Sequence, residues 1–414
     1  MLSITHSAIN DLRRNKSRAL LTVFGITIGI AVVIIVLSAG NGVKGLILGQ
    51  VDSFGDNWIN VEVKVPSTGK TSLQNAQGHA RGVSITTLTA EDAEAIGRLR
   101  NVKNFYAGVT TQAVVSRGTE KKKPIIFAVT PSYIEIDKSV VEKGRFFSDD
   151  ENKSLAQVMV LGYGIAETLF GNEDPIDQQV KVGNSSYRVV GVMEKKGATG
   201  FFNYDEIAYM PLKTVQKKMM GIDHVFFSIA EVFENSQAES TAEEIRFVMR
   251  DRHNITEPDK DDFGVTTQAE SIKVINTIFF GISSLLVVLA MISLVVGGVG
   301  IMNVMYVSVV ERTFEIGLRK SVGARDSDIK RQFLTEAIVL TSVGGLIGIT
   351  VGIVISWFIA FGAKEFGGLD WAFIISVPSI LLGTGFSVAV GLIFGYFPAK
   401  RAASLDPISA LRAE

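Results

Sequence analysis

Four long apolar runs punctuate the chain, and one long stretch of mixed polarity separates the first from the second. The runs occupy residues 19–40, 274–308, 332–361 and 378–397. A helix needs about 20 apolar residues to cross a bilayer core, so each run predicts a membrane span. Residues 41–273 contain no run of that length and predict a folded domain outside the bilayer. A cleaved leader is the rival reading of the first run. That run is long for a leader, and Ser38-Ala39-Gly40 makes a weak cleavage site, so we read it as an uncleaved anchor.

Within 41–273 the pattern alternates between strand and helix periods. Strands are predicted at 58–65 and 105–116, with a helix at 89–98 between them that Thr89 caps with Asp92 at its third position. A second strand–helix–strand unit follows at 224–231, 236–252 and 264–267. The two units, 41–116 and 222–273, predict one split α/β sandwich, the part that the family resemblance given below implies to be porter-like. The segment 117–221 reads as an inserted, mainly β subdomain with one helix at 164–170. The fold class is therefore an α-helical membrane protein with four spans and a large extracytoplasmic α/β domain.

Charge sets the orientation. Basic residues crowd the lead-in 1–18 (Arg13, Arg14, Lys16, Arg18), the loop 309–331 and the tail 398–414 (Lys400, Arg401, Arg412). The loop 362–377 carries Lys364, Glu365 and Asp370 and is not strongly basic. The positive-inside rule then puts both termini and the 309–331 loop in the cytoplasm, in a multi-pass protein of the cell (inner, cytoplasmic) membrane.

That loop has more structure than an anchor requires. Glu311, Glu315 and Arg319 follow one another at four-residue spacing, which lines them on one helix face. Gly323 is placed to stop the helix, and Asp326 and Asp328 to start the next. In the spans, glycines recur at the same spacing: Gly25 and Gly29, then Gly344, Gly348 and Gly352, then Gly391 and Gly395. Such ridges let helices approach closely, within a bundle or between copies. No charged residue is expected at mid-depth, which argues against a channel or a proton-coupled carrier.

Other chemistry is excluded or weak. The chain has no cysteine, and its four histidines are scattered without ligand spacing, so no metal site is expected. A net charge of −1 gives no reason to expect nucleic acid. Gly69-Lys70-Thr71 imitates the end of a phosphate-binding loop, but Lys64 stands where that motif needs glycine. No catalytic set or cofactor site is found, so the chain is not expected to be an enzyme. Lys121-Lys122-Lys123 reads as a solvated hairpin tip, and Phe201 to Asp205 as a loop folded on its own subdomain or a docking surface.

Glu311-Arg312-Thr313, Glu315-Ile316-Gly317, Arg319-Lys320 and Gly323-Ala324 resemble the signature loop of MacB-type and FtsX-like ABC transporter permeases. The tail Gly395-Tyr396-Phe397-Pro398-Ala399, Arg401-Ala402-Ala403 and Asp406-Pro407 is similar to that family's C-terminus. Gly144-Arg145-Phe146-Phe147, Leu169-Phe170-Gly171, Asp174-Pro175 and Pro211-Leu212 extend the resemblance through the outer domain. Two departures stand out: Phe314, where a charge is common, and Asp177, where glycine is common.

The resemblance implies a permease subunit that works as a homodimer. A separate dimeric ATPase, carrying its own ATP and magnesium, would dock on Glu311, Arg312, Glu315, Gly317, Arg319, Lys320 and Gly323. It also implies an adaptor (membrane-fusion) protein on the outer domain and efflux of a drug, peptide or other amphiphile. An FtsX-like regulator of a cell-wall hydrolase and a lipoprotein-extracting permease are the alternatives.

Overall fold

The computed structural model describes residues 16–52, 57–64, 85–137, 139–199, 202–366, 369, 371–375 and 377–411. The Gly69-Lys70-Thr71 motif and Arg13, Arg14 and Arg412 lie outside these. The chain divides into a helical unit (1–45, 277–367, 371–414) and an α/β unit (46–276, 368–370).

The helical unit is built from helices long and apolar enough to cross a membrane. These are α1 (Lys16–Asp52), which enters the α/β unit at its end, and three that follow that unit: a helix over Gln268–Glu311, one over Asp326–Glu365 and one over Val377–Ala403. At 1.5 Å per residue the Gln268–Glu311 helix is about 66 Å long, roughly twice a bilayer core. Ile26, Ile30, Ile34, Leu294, Ile301, Phe333 and Val390 form the buried centre of the unit.

Among the described residues the α/β unit centres on a twelve-stranded sheet. Its strands are β1 (Trp58–Val63), β2 (Val102–Gln112), β3 (Val115–Arg117), β4 (Glu120–Lys122), β5 (Ile125–Val129), β6 (Val141–Gly144), β7 (Val158–Leu161), β8 (Gln179–Val182) and β9 (Ser185–Met193). A small hairpin, β10 (Ala198–Thr199) with β11 (Phe202–Asn203), stands apart, and β12 (Ile207–Pro211), β13 (Phe227–Val232) and β14 (Phe263–Thr267) complete the sheet. The order is β14-β1-β13-β2-β5-β12-β7-β9-β8-β3-β4, with β6 on β9. The two outlying strand–helix–strand units thus meet at one end, and the segment 117–221 extends the same sheet rather than forming its own. Antiparallel pairing of β2 with β5, Gly108 opposite Val129, makes the join.

Side chains alternate across the strands, so the sheet has two cores. One buries Ile59, Val61, Ala107, Val109 and Leu161 beneath helices α2 (Ala90–Gly97), Tyr163–Phe170 and Ala238–His253. The other is aromatic: Tyr106 meets Tyr133 edge-on at 5.2 Å, with Trp58, Phe147 and Tyr209 nearby. Helix α2 starts as its sequence dictates. The N–H of Asp92 donates to Thr89 Oγ1 (3.3 Å), and the Thr89 N–H donates back to the Asp92 carboxylate (2.8 Å).

Asp92 has a second task. Arg252 Nε donates to it at 2.5 Å, and His253 at the end of the Ala238–His253 helix lies between Asp92 (3.3 Å) and Asp262 (2.9 Å). Hydrogen bonds that the imidazole donates to Asp262 and Asp92 push it up to about 9, so it carries charge at neutral pH. Burial opposes the charge on Asp92, but His253, Arg252 and Thr89 outweigh it and hold the carboxyl well below its usual range.

Candidate coupling site

The loop after the Gln268–Glu311 helix folds as a short helix over Thr313–Ser321, between Arg312, which breaks the long helix (φ −108, ψ 16), and Gly323 (φ 101). Numbering the helices along the chain gives α3 (Tyr133–Ile136), α4 (Asp149–Lys153), α5 (Tyr163–Phe170), α6 (Leu212–Val215), α7 (Ala238–His253), α8 (Gln268–Glu311), α9 (Thr313–Ser321), α10 (Asp326–Glu365), α11 (Val377–Ala403) and α12 (Pro407–Leu411). At the break, Thr313 Oγ1 donates to the carbonyls of Val309 (3.1 Å) and Val310 (2.8 Å), satisfying two acceptors that the helix end would orphan. At the far end, Gly323 takes the left-handed conformation that only glycine adopts freely, and the Ala324 N–H closes on the Arg319 carbonyl at 3.0 Å. Helix α10 then begins with the Arg325 N–H donating to Asp328 Oδ2 (3.1 Å).

Helix α9 is fastened at both ends. Arg312 donates to Glu336 of α10 at 3.3 Å, and both side chains are largely buried. Lys320 Nζ donates to the carbonyl of Ala403, the last residue of α11 (2.8 Å), and to that of Leu405 just beyond it (2.7 Å), and pairs with Asp326 at 2.9 Å. Three or four carbonyls at a helix end lack partners, and a cation there satisfies them and complements the helix dipole. In the middle, Ile316 and Gly317 are buried against the chain.

The residues named from the sequence therefore play different parts. Arg312, Gly317 and Lys320 face inward and hold the helix. Glu315 and Arg319 pair with each other at 2.5 Å, and Arg319 also donates to Gln332 at 2.6 Å. Gly323 makes the turn, and Glu311 is exposed at the end of α8. Beside this half-exposed pair the helix offers an apolar row outward. Val310, Phe314, Leu318 and Val322 follow at four-residue spacing and are 70%, 56%, 51% and 80% exposed. Sequence reasoning counted the charges and missed this row, although the spacing was visible and Phe314 already stood out. It missed Glu336 as well. This carboxylate lies inside the predicted span 332–361, near its loop end, and is buried on Arg312.

The glycine ridges work inside the chain. A Cβ on Gly25 would stand 3.2 Å from the backbone of Gly297, and one on Gly29 2.8 Å from Leu294, both on α8. Gly348 and Gly352 meet Thr27 and Ala31 of α1, Gly344 meets Ile26, and Gly391 and Gly395 meet Thr341 and Ala337 of α10. In the α/β unit, Tyr204 and Asp205 are buried, with Asp205 accepting from the Lys196 and Gly197 N–H groups at 2.9 and 3.0 Å. This part of the loop folds on its own domain; Phe201 lies outside the described residues. Lys122 lies within β4, beyond a tip formed by Gly118 and Thr119, and pairs with Glu206 at 2.9 Å.

Among the described residues, a large α/β domain between the first and second of four membrane-length helices, with a fastened helix between the second and third, defines the architecture of a polytopic membrane protein. Residues 19–247 match the model for MacB-like periplasmic core domains, and residues 275–407 that for the FtsX-like permease C-terminal region. The chain belongs to this family of ABC transporter permeases. Over its whole length it is 34% identical to a "Macrolide export ATP-binding/permease protein MacB" of Bdellovibrio bacteriovorus, covering 62% of that protein. It is 35% identical to the like-named protein of Chlorobaculum tepidum (62% covered) and 34% to a "Pyoverdine export ATP-binding/permease protein PvdT" of Pseudomonas entomophila (60% covered). The chain thus spans about three fifths of the length of the relatives it matches.

Proposed function

We propose that the chain is the permease subunit of an ABC export system. In this reading it works as a homodimer in the cytoplasmic membrane, with both termini and the 309–331 loop inside. An ATP-binding partner, which holds ATP and magnesium, docks on α9. An adaptor sits on the α/β domain, and the cargo is a drug, peptide or other amphiphile. The observation that carries this is the exposed apolar row Phe314–Leu318–Val322 on a helix tied inward at both ends. Exposed apolar rows bordered by charge mark protein contacts. The relatives' printed names, which join ATP binding to export, support the choice of partner.

The ties give the docking helix its leverage. A displacement of α9 is shared with α10 through Arg312 and Glu336 and with α11 through Lys320. Helix α8, which directly follows β14 and is unbroken to Glu311, carries it toward the α/β domain. No cargo need cross the bilayer for this motion to do work outside.

A single cysteine at Leu318, in a chain with none of its own, provides the test. Cross-linking in membranes that contain the ATP-binding partner should yield an adduct at 318 and none at 122. An adduct at 122, or none at 318 while the partner is present and active, would remove α9 from the contact.

A further inference from the structure

Helix α12 plays no part in the function just proposed, yet it is held firmly. Asp406 Oδ2 accepts from the N–H and the hydroxyl of Ser409, both at 2.9 Å, and Pro407 sets the first turn. The helix lies on α9 where Gly317 lacks a side chain. A Cβ there would come within 2.7 Å of the Ala410 methyl and 3.3 Å of the Leu411 backbone. Lys320 fastens the segment leading into α12 through the Ala403 and Leu405 carbonyls. Helices α9 and α12 are therefore one body.

A five-residue helix has no stability of its own and exists by virtue of its seat. A helix seated only as an anchor would turn its large apolar side chains inward. This one buries Ala410 and leaves Ile408 68% exposed, with Leu411 exposed beside it. The Leu411 backbone lies against Gly317, one turn along α9 from Phe314, which places α12 beside the helix that carries the exposed row. Arg325, Asp326, Asp328 and Arg331, all exposed, follow directly after α9. A lipid interior rejects such charges, whereas the rim of a protein interface accommodates them.

We propose that α12 is the second half of the docking surface, with Ile408 and Leu411 continuing the Phe314–Leu318–Val322 row against the ATP-binding partner. This rests on the function proposed above. It makes the segment after the fourth span a contact element in its own right, and it accounts for Lys320 and Gly317 as residues that position α12.

The test uses the full chain in lipid nanodiscs with the ATP-binding domain of one of the fused relatives added in trans. Ile408→Glu should weaken capture of that domain at least tenfold while insertion, monodispersity and thermal melting stay unchanged. Ile408→Ser serves as a milder variant should the glutamate disturb folding. A photo-reactive residue at 408 should cross-link to the same domain. Full capture by both 408 variants, with Leu318→Glu defective, overturns the role of α12 and leaves the α9 contact standing. Cross-links from 408 to lipid or to a second copy of this chain overturn it equally. If the unaltered chain captures nothing, or Leu318→Glu captures normally, the underlying reading falls as well.

Discussion

Arg312 and Glu336 stand 3.3 Å apart where α8 breaks and α10 rises, and the side chain of Glu336 is only 9% exposed. A buried pair is a weak source of net stability, because two desolvations offset the attraction, but removing one partner strands the other. Arg312→Met should destabilise the helical unit by about 2–4 kcal/mol, and the double variant Arg312→Met/Glu336→Leu should recover most of that loss. Denaturation in detergent of the unaltered chain and the two variants checks this. A double variant no better than the single one would mean that the pair does not hold the break.

Orientation can be read with single cysteines at Lys122 and Val322. We expect an impermeant maleimide to label 122 in intact cells and 322 only after permeabilisation. Val322 is preferable to Lys320 as the inner probe, since Lys320 is spent on the Ala403 and Leu405 carbonyls. Labelling of 322 in intact cells would reverse the topology.

The His253 cluster sets a pH dependence whose sign follows from its raised value. The folded protein holds the proton to about pH 9, whereas an unfolded histidine releases it near 6.5. The stabilisation is therefore complete below the unfolded value and is lost as pH rises through about 9. One pKa unit is worth about 1.4 kcal/mol, so His253 contributes on the order of 3 kcal/mol at pH 6. Melting of the α/β unit followed from pH 6 to 10 should show the loss, and His253→Gln should flatten it. An equal slope in the variant would place the titration elsewhere. Asp92, held low, adds stability above its unfolded value that fades only in strong acid.

Asp177 occupies a left-handed turn at φ 61, with its N–H donating to the Val189 carbonyl at 2.8 Å. Its ion pair with Arg188 is exposed and worth little. Asp177→Gly should change stability by less than about 1 kcal/mol, and Asp177→Val should cost about 1–2 kcal/mol, because a β-branched residue is strained there. Chemical denaturation of both variants checks the order; valine as stable as glycine would refute it.

These sites show what the chain discloses before it folds. The Thr89–Asp92 cap is local, a few residues apart, and was legible from spacing alone. The glycine ridges were legible too, but whether they face neighbours or another copy was not, since Gly348 meets Thr27 more than three hundred positions away. The alternating strands gave their own positions but not their order, because the β2–β5 join is set by tertiary pairing. The coupling helix was found through its charges, most of which hold it in place: Arg312 on Glu336, Lys320 on the Ala403 and Leu405 carbonyls, and Arg319 on Glu315 and Gln332. The row that faces outward was hidden because single apolar residues in a charged loop look like noise. Glu336 was passed over because an apolar run is read as a whole, and one carboxylate near its end needs a partner that only the fold supplies.

The β2–β5 join also bears on how such a chain can be cut. Deleting 117–221 to obtain a minimal domain would strip the partner from the Gly108–Gln112 half of β2. The bare amides of an interior strand would then be free to recruit another molecule edge to edge. The segment that looks like an insertion is what closes this edge of its host.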